Sequence, residues 1–246
     1  MNRFFIKALG IALTLAFSAP AIAGPFEDGE TAVKQQDYAT ALKIFRPLAE
    51  AGDPRAQNQL AWMYESGLGV PRDKAEGERW TRKAAEQGNS EAELNLGFKY
   101  DLYEPKDYAQ AIAWYRKAAD HGNAMAQEVL GVTYYQGKIA PQNFALAVEW
   151  FRKAADQGDF DAQHSLGLMY EQGQGVPQDY VRAHMWLSLA IASAANSKYI
   201  LADMPEEVAK RLADRERIAA KMTPEQIAEA QRLASAWTPI GGQGNP

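Results

Sequence analysis

Cysteine is missing from all 246 residues of the chain. Disulfides, thiol catalysis and cysteine-ligated zinc are therefore excluded. Histidine is scarce: His121, His164 and His184 are the full set. His164 and His184 fall on the two helices of one repeat, but no third ligand stands at metal-like spacing, so no metal is expected. Positive charge is in deficit, with a formal net charge of −5. A mildly acidic chain is a poor partner for nucleic acid or an anionic membrane surface. Signatures of chemistry are lacking as well. There is no G-x-G-x-x-G, no Gly-Lys-Ser/Thr, no G-x-S-x-G and no S-x-x-K. Neither a phosphate cradle nor an activated serine is indicated, and no cofactor is expected. Carboxylates are plentiful, but on so charged a surface they are a weak sign of glycosidic chemistry.

Long apolar runs are lacking except at the start. Arg3 and Lys7 precede an uncharged, largely apolar stretch from Ala8 to Phe17, and "AIA" ends at Ala23. This pattern predicts a secretory signal peptide over residues 1–23, cleaved after Ala23. An uncleaved anchor is the alternative, although the apolar stretch is short for a span of about 20 residues. The mature chain would run from Gly24 to Pro246 with a formal charge of −7, since the leader holds two basic residues and no acid. No second apolar run reaches about 18 residues, so no membrane insertion is expected after cleavage. The protein is expected to be periplasmic or secreted.

What the chain does have is an internal repeat. The pairs Gly52/Ala56, Gly88/Ala92, Gly122/Ala126 and Gly158/Ala162 recur at spacings of 36, 34 and 36 residues. Each unit opens with Ala, then Leu four residues on, a small residue five on and Tyr eight on, as in Ala92, Leu96, Gly97 and Tyr100. These offsets share one helical face. Gly97, Gly131 and Gly167 recur where glycine weakens a helix, which predicts close approach of a second helix; Ala61 holds the same place in the first unit. A second segment follows in each unit, centred on Trp80, Trp114, Trp150 or Trp186, seven residues after Asp73, Asp107, Asn143 or Asp179. These Asp and Asn residues suit helix N-caps, and the tryptophans suit a core. The stretch "YESGLGVPRDKAE" (64–76) therefore reads as a turn, with Gly67 or Gly69 stopping one helix and Asp73 capping the next. A helical hairpin of this size cannot bury its apolar face alone, so stacking is required.

The recurring A-x-x-x-L-G-x-x-Y-x-x-G-x-G-V-P-x-D-x-x-x-A-x-x-W pattern resembles Sel-one-like repeats, a group related to tetratricopeptide repeats. The predicted fold class is all-α: an α-solenoid, or superhelix, of helix–turn–helix repeats with a C-terminal capping helix pair. Residues 24–51 resemble a tetratricopeptide-like leading hairpin. Four Sel-one-like repeats follow at 52–87, 88–121, 122–157 and 158–194, then a linker and capping helices at 195–237 and a disordered tail at 238–246. The second repeat departs from the pattern: "DLYEPKDY" replaces the Gly-x-Gly-Val-Pro turn and is two residues shorter.

The resemblance implies a non-catalytic scaffold for protein–protein interaction, an adaptor or regulator of an envelope protein such as a sensor kinase or cell-wall enzyme. A cell-wall hydrolase or peptidoglycan-binding module is the competing reading. Cysteine-rich relatives are linked to β-lactam chemistry, which is not carried over to a chain without cysteine. First helices line the concave side in related solenoids. Offset six on those helices holds Trp62, Phe98, Val132 and Leu168, all apolar. Arg55, Asn58, Gln59, Asn95, Glu128 and His164 stand beside them. Two readings are open for this row: a partner-binding groove with a polar rim, or packing against the adjacent unit.

Overall fold

The computed structural model describes residues 24–103, 105–196 and 205–240. The expected leader at 1–23, part of the linker (197–204) and the tail from 241 lie outside the described residues. Among the described residues there are twelve helices and no strand. They are α1 (Pro25–Lys34), α2 (Tyr38–Glu50), α3 (Pro54–Ser66), α4 (Lys74–Glu86), α5 (Ser90–Leu102), α6 (Tyr108–Asp120), α7 (Ala124–Gln136), α8 (Phe144–Asp156), α9 (Phe160–Gln172), α10 (Tyr180–Asn196), α11 (Pro205–Ala219) and α12 (Pro224–Ala236). The first ten form five consecutive hairpins, each stacked on the next, which is the predicted α-solenoid.

Local chemistry sets the helix ends. Asp53, Asn89, Asn123 and Asp159 cap α3, α5, α7 and α9. Asp73, Asp107, Asn143 and Asp179 accept from free N–H groups at the start of α4, α6, α8 and α10. Each such cap is worth about 1 kcal/mol. Gly67 ends α3 in the left-handed region at φ 73°. The shortened turn of the second repeat does without this device: α5 ends at Tyr103, which is extended.

The repeated glycines sit where the two helices of a hairpin touch. A Cβ on Gly131 would lie 2.5 Å from the Phe151 ring, and one on Gly167 would lie 2.9 Å from Leu187. Gly97 meets Tyr115 in the same way. In the hairpin of α3 and α4 the pair is Ala61 with Thr81, a larger residue facing a smaller one.

Of the repeat tryptophans, Trp80, Trp114 and Trp186 are buried, while Trp150 is half-buried with the Lys153 ammonium 4.0 Å from its ring centre. Neighbouring hairpins are tied together by a side-chain ladder. Arg46, Arg82, Arg116 and Arg152 each donate to a tyrosine hydroxyl 18 residues on: Tyr64, Tyr100, Tyr134 and Tyr170. Within single hairpins, Gln87 donates to Gln57 at 2.7 Å and Gln157 to Gln127 at 2.8 Å; His121 and Glu93 take these two places in the hairpin between, 2.7 Å apart.

The solenoid ends on α11 and α12, which both pack on α10. Ile218 of α11 and Ala230 of α12 are fully buried, and Trp237 meets Trp186 edge-on. Thr223 and Gln226 form the expected capping box. The N–H of Ile240 donates to the Asp156 carbonyl at 2.7 Å, so the start of the expected tail lies against the end of α8.

Gly131→Ala should lower stability by about 1–3 kcal/mol, because Phe151 leaves no room for the methyl. Gly131→Ala combined with Phe151→Thr copies the Ala61/Thr81 pair. In urea denaturation the double variant should lose less than the sum of the two single variants. Strict additivity would mean that the two residues do not share the contact.

Candidate functional site: a groove between the first two first-helices of the Gly52–Asn196 hairpins

Helices α3 and α5 stand side by side above α4. Between them runs a groove of about 820 Å³, edged by Val33 of α1. Ala61, Thr81 and Leu96 line it together with Trp62 and Phe98. Toward the C-terminal ends of α3 and α5 it is charged, with Glu65, Arg72, Lys74, Glu78 and Lys99.

The repeat explains why the opening is here. Where later hairpins place Tyr115, Phe151 and Leu187 against the small residue of the first helix, α4 has Thr81. Where they place Ile112, Val148 and His184, it has Glu78. A shorter side chain and a polar one leave unfilled the volume that is core elsewhere. Glu78 is paired with Lys99 and, at 3.3 Å, with Arg82, and the Lys99 bond leads in holding its carboxyl below the usual range. Asn58 donates to Glu91 at 2.9 Å. Burial, followed by the neighbouring Glu78, pushes the Glu65 carboxyl above the usual range.

Five of the ten residues expected at a partner site line this groove: Asn58, Gln59, Trp62, Asn95 and Phe98. Trp62 is 38% exposed and meets Tyr38 edge-on at 6.2 Å between centroids. Phe98 is half-buried, edge-on to Tyr115 at 5.5 Å. The expected stripe does not continue as one surface. Val132 packs on the core and Leu168 is half-buried outside the groove. Arg55 lies over the Phe26 ring at 4.2 Å and pairs with Glu27 at 3.4 Å. His164 is not a free rim residue, because its Nε2 is held 2.9 Å from Asp214 of the capping helix α11. Glu128 is half-buried in the neighbourhood of Asp159 and Asp161. Thr81, Glu65 and Lys99 were not singled out by sequence; comparing the four second helices position by position isolates Thr81 among Tyr115, Phe151 and Leu187.

Among the described residues no group of three or more His, Asp or Glu is placed to hold a metal ion, and no helix is long and apolar enough to cross a membrane.

The Sel1 repeat family model matches residues 24–53, 54–89, 90–123, 124–159 and 160–194. The chain belongs to the Sel1 repeat family. All five hairpins are matched, including the leading one that resembles a tetratricopeptide repeat. A solved Sel1 repeat protein from Oxalobacter formigenes is 34% identical, with a TM-score of 0.68, over 77% of this chain and 54% of its own. A protective antigen present in uropathogenic Escherichia coli strains and displaying an SLR fold is 28% identical, with a TM-score of 0.53, over 87% of this chain and 52% of its own. The chain thus spans about half the length of these solved relatives. Sel1 repeats build scaffolds that are generally non-catalytic and typically serve protein–protein interaction.

Burial, then Asp159 and Asp161, raise the Glu128 pKa to about 7 from an ordinary 4.5. Its charged form is disfavoured in the folded state, so stability is lost as pH rises from the ordinary value through about 7 and is spared below it. Glu128→Gln should therefore raise the melting midpoint at pH 8 and leave it nearly unchanged near pH 4. Equal gains at both pH values in calorimetry would rule out the buried charge as their origin.

Proposed function

We propose that the chain is an exported Sel1 repeat scaffold that docks a segment of another protein between α3 and α5. In this reading it acts as an adaptor or regulator of an envelope protein, such as a sensor kinase or a cell-wall enzyme. The observation that carries the reading is Trp62. A tryptophan 38% exposed beside a half-filled apolar groove has the character of an interface anchor, whereas Trp80, Trp114 and Trp186 are spent on packing. The groove's polar groups favour binding over catalysis. Glu78 is neutralised by Lys99, the Thr81 hydroxyl donates to the Gly77 carbonyl at 3.1 Å, and no histidine lines the opening. Export is supported by the basic, apolar and small-residue succession of residues 1–23.

Docking is tested by affinity capture from an envelope extract with the partner identified by mass spectrometry. Trp62→Ala should weaken capture strongly with little change in melting midpoint, and adding Phe98→Ala, which also gives up the Tyr115 contact, should abolish capture in a chain that still melts cooperatively. Undiminished capture, or retention on purified peptidoglycan alone, would overturn the reading.

Export is tested separately by N-terminal sequencing of the protein recovered from cells. Gly24 is the expected first residue, in a soluble envelope fraction. An intact Met1 in the membrane fraction would remove the periplasmic or secreted assignment.

A further inference from the structure

The residue that follows the repeat tyrosine is Glu65, Asp101, Tyr135 and Glu171 in successive hairpins. Asp101 accepts from the Tyr115 hydroxyl at 3.1 Å. Tyr135 packs against Phe144 at 5.6 Å between centroids. Glu171 is clasped by Arg217 and, at 3.0 Å, by Lys221, both arriving from the C-terminal capping segment. The Glu65 carboxylate has no hydrogen bond or ion pair among the described residues. The reason lies across the hairpin. Tyr115 stands on α6 at the position that Thr81 holds on α4, and threonine is too short to reach the acid. One residue thus leaves two adjoining deficits in the groove: a space above Thr81 and an unmatched carboxylate.

We propose that the groove selects a partner segment in which an arginine or lysine adjoins an aromatic or aliphatic side chain. The apolar group fills the space over Thr81 against Trp62 and Phe98, and the cation pairs with Glu65. This rests on the docking reading above and names the chemistry of its occupant. The other charges of the groove are committed. Lys99 is on Glu78, Glu91 is on Asn58, and Arg72 Nε donates to the Glu65 backbone carbonyl at 2.8 Å. Lys74 acts on Glu65 only through space. Burial and Glu78 together outweigh Lys99 and Lys74 and hold the Glu65 carboxyl above its ordinary range. A cation brought alongside relieves that penalty. The chain already uses the same chemistry once: Ile218 is fully buried while Arg217 and Lys221 flank it on Glu171. A net charge of −5 also favours encounter with a basic segment.

The test is selection of a phage-displayed random dodecapeptide library on the purified full chain, with enriched sequences remade as free peptides and titrated calorimetrically. Binders should carry arginine or lysine next to an apolar residue. Glu65→Gln should weaken them about tenfold or more, the scale of one charge-assisted contact. Ala61→Gly combined with Thr81→Tyr rebuilds the Gly97/Tyr115/Asp101 arrangement in the first hairpin of the pair. That variant should keep its melting midpoint and lose the peptides. Binding that survives it overturns the proposal. Neutral or acidic binders that need Trp62 and Phe98 but ignore Glu65→Gln also overturn it, while leaving the docking reading standing. A selection that yields no binder dependent on Trp62 overturns both.

Discussion

The close contact between the two helices of each hairpin is the constraint on which the rest of the solenoid depends. Gly97 against Tyr115, Gly131 against Phe151 and Gly167 against Leu187 let one helix seat a bulky side chain directly on the backbone of the other. A glycine inside a helix weakens it by about 1 kcal/mol. Burying the facing aromatic or leucine offsets this with a gain of about 1.5–3 kcal/mol. The volume at this contact also decides whether the face between neighbouring first helices is filled. Where the pair becomes Ala61 and Thr81 the second helix no longer fills the space beyond it, and the groove opens.

Stacking then turns weak contacts into a cooperative structure through repetition. An arginine on a tyrosine hydroxyl is worth about 1 kcal/mol by itself. The same bond recurs four times between neighbouring hairpins, from Arg46 to Tyr170. The glutamine pairs tie the two helices inside a hairpin, and the Glu93–His121 pair shows that this geometry tolerates a change of chemistry. Beyond α10 the capping segment supplies the partners instead. Helix α11 does so with charge, setting Arg211 on Asp161, Asp214 on His164, and Arg217 on Glu171. These are the contacts that remove His164 from the exposed face.

The repeat, the hairpins, their caps and the small-residue contact were all legible in the sequence. They depend on residue spacing within about 20 positions, where helix periodicity and capping chemistry are local. Asp73 caps α4 and Gly131 meets Phe151 as the pattern requires. The candidate site was legible only in part. Trp62 and Phe98 were found because a row of apolar residues falls at one offset. Val132 and Leu168 share that offset but not the surroundings, since the second helix that precedes each of them, α6 or α8, carries Tyr115 or Phe151 where α4 has Thr81.

The sequence by itself determined the all-helical repeat, its register and the turn at Gly67, because each follows from periodicity and from side chains acting on their own backbone. The tertiary structure decided which stretch of the repeated face stays open. That outcome is a sum of volumes and charges from three helices at once: Thr81 and Glu78 from α4, Ala61 and Glu65 from α3, Lys99 from α5. It decided the fate of His164 as well, through Asp214, fifty residues away in the chain and 2.9 Å away in space.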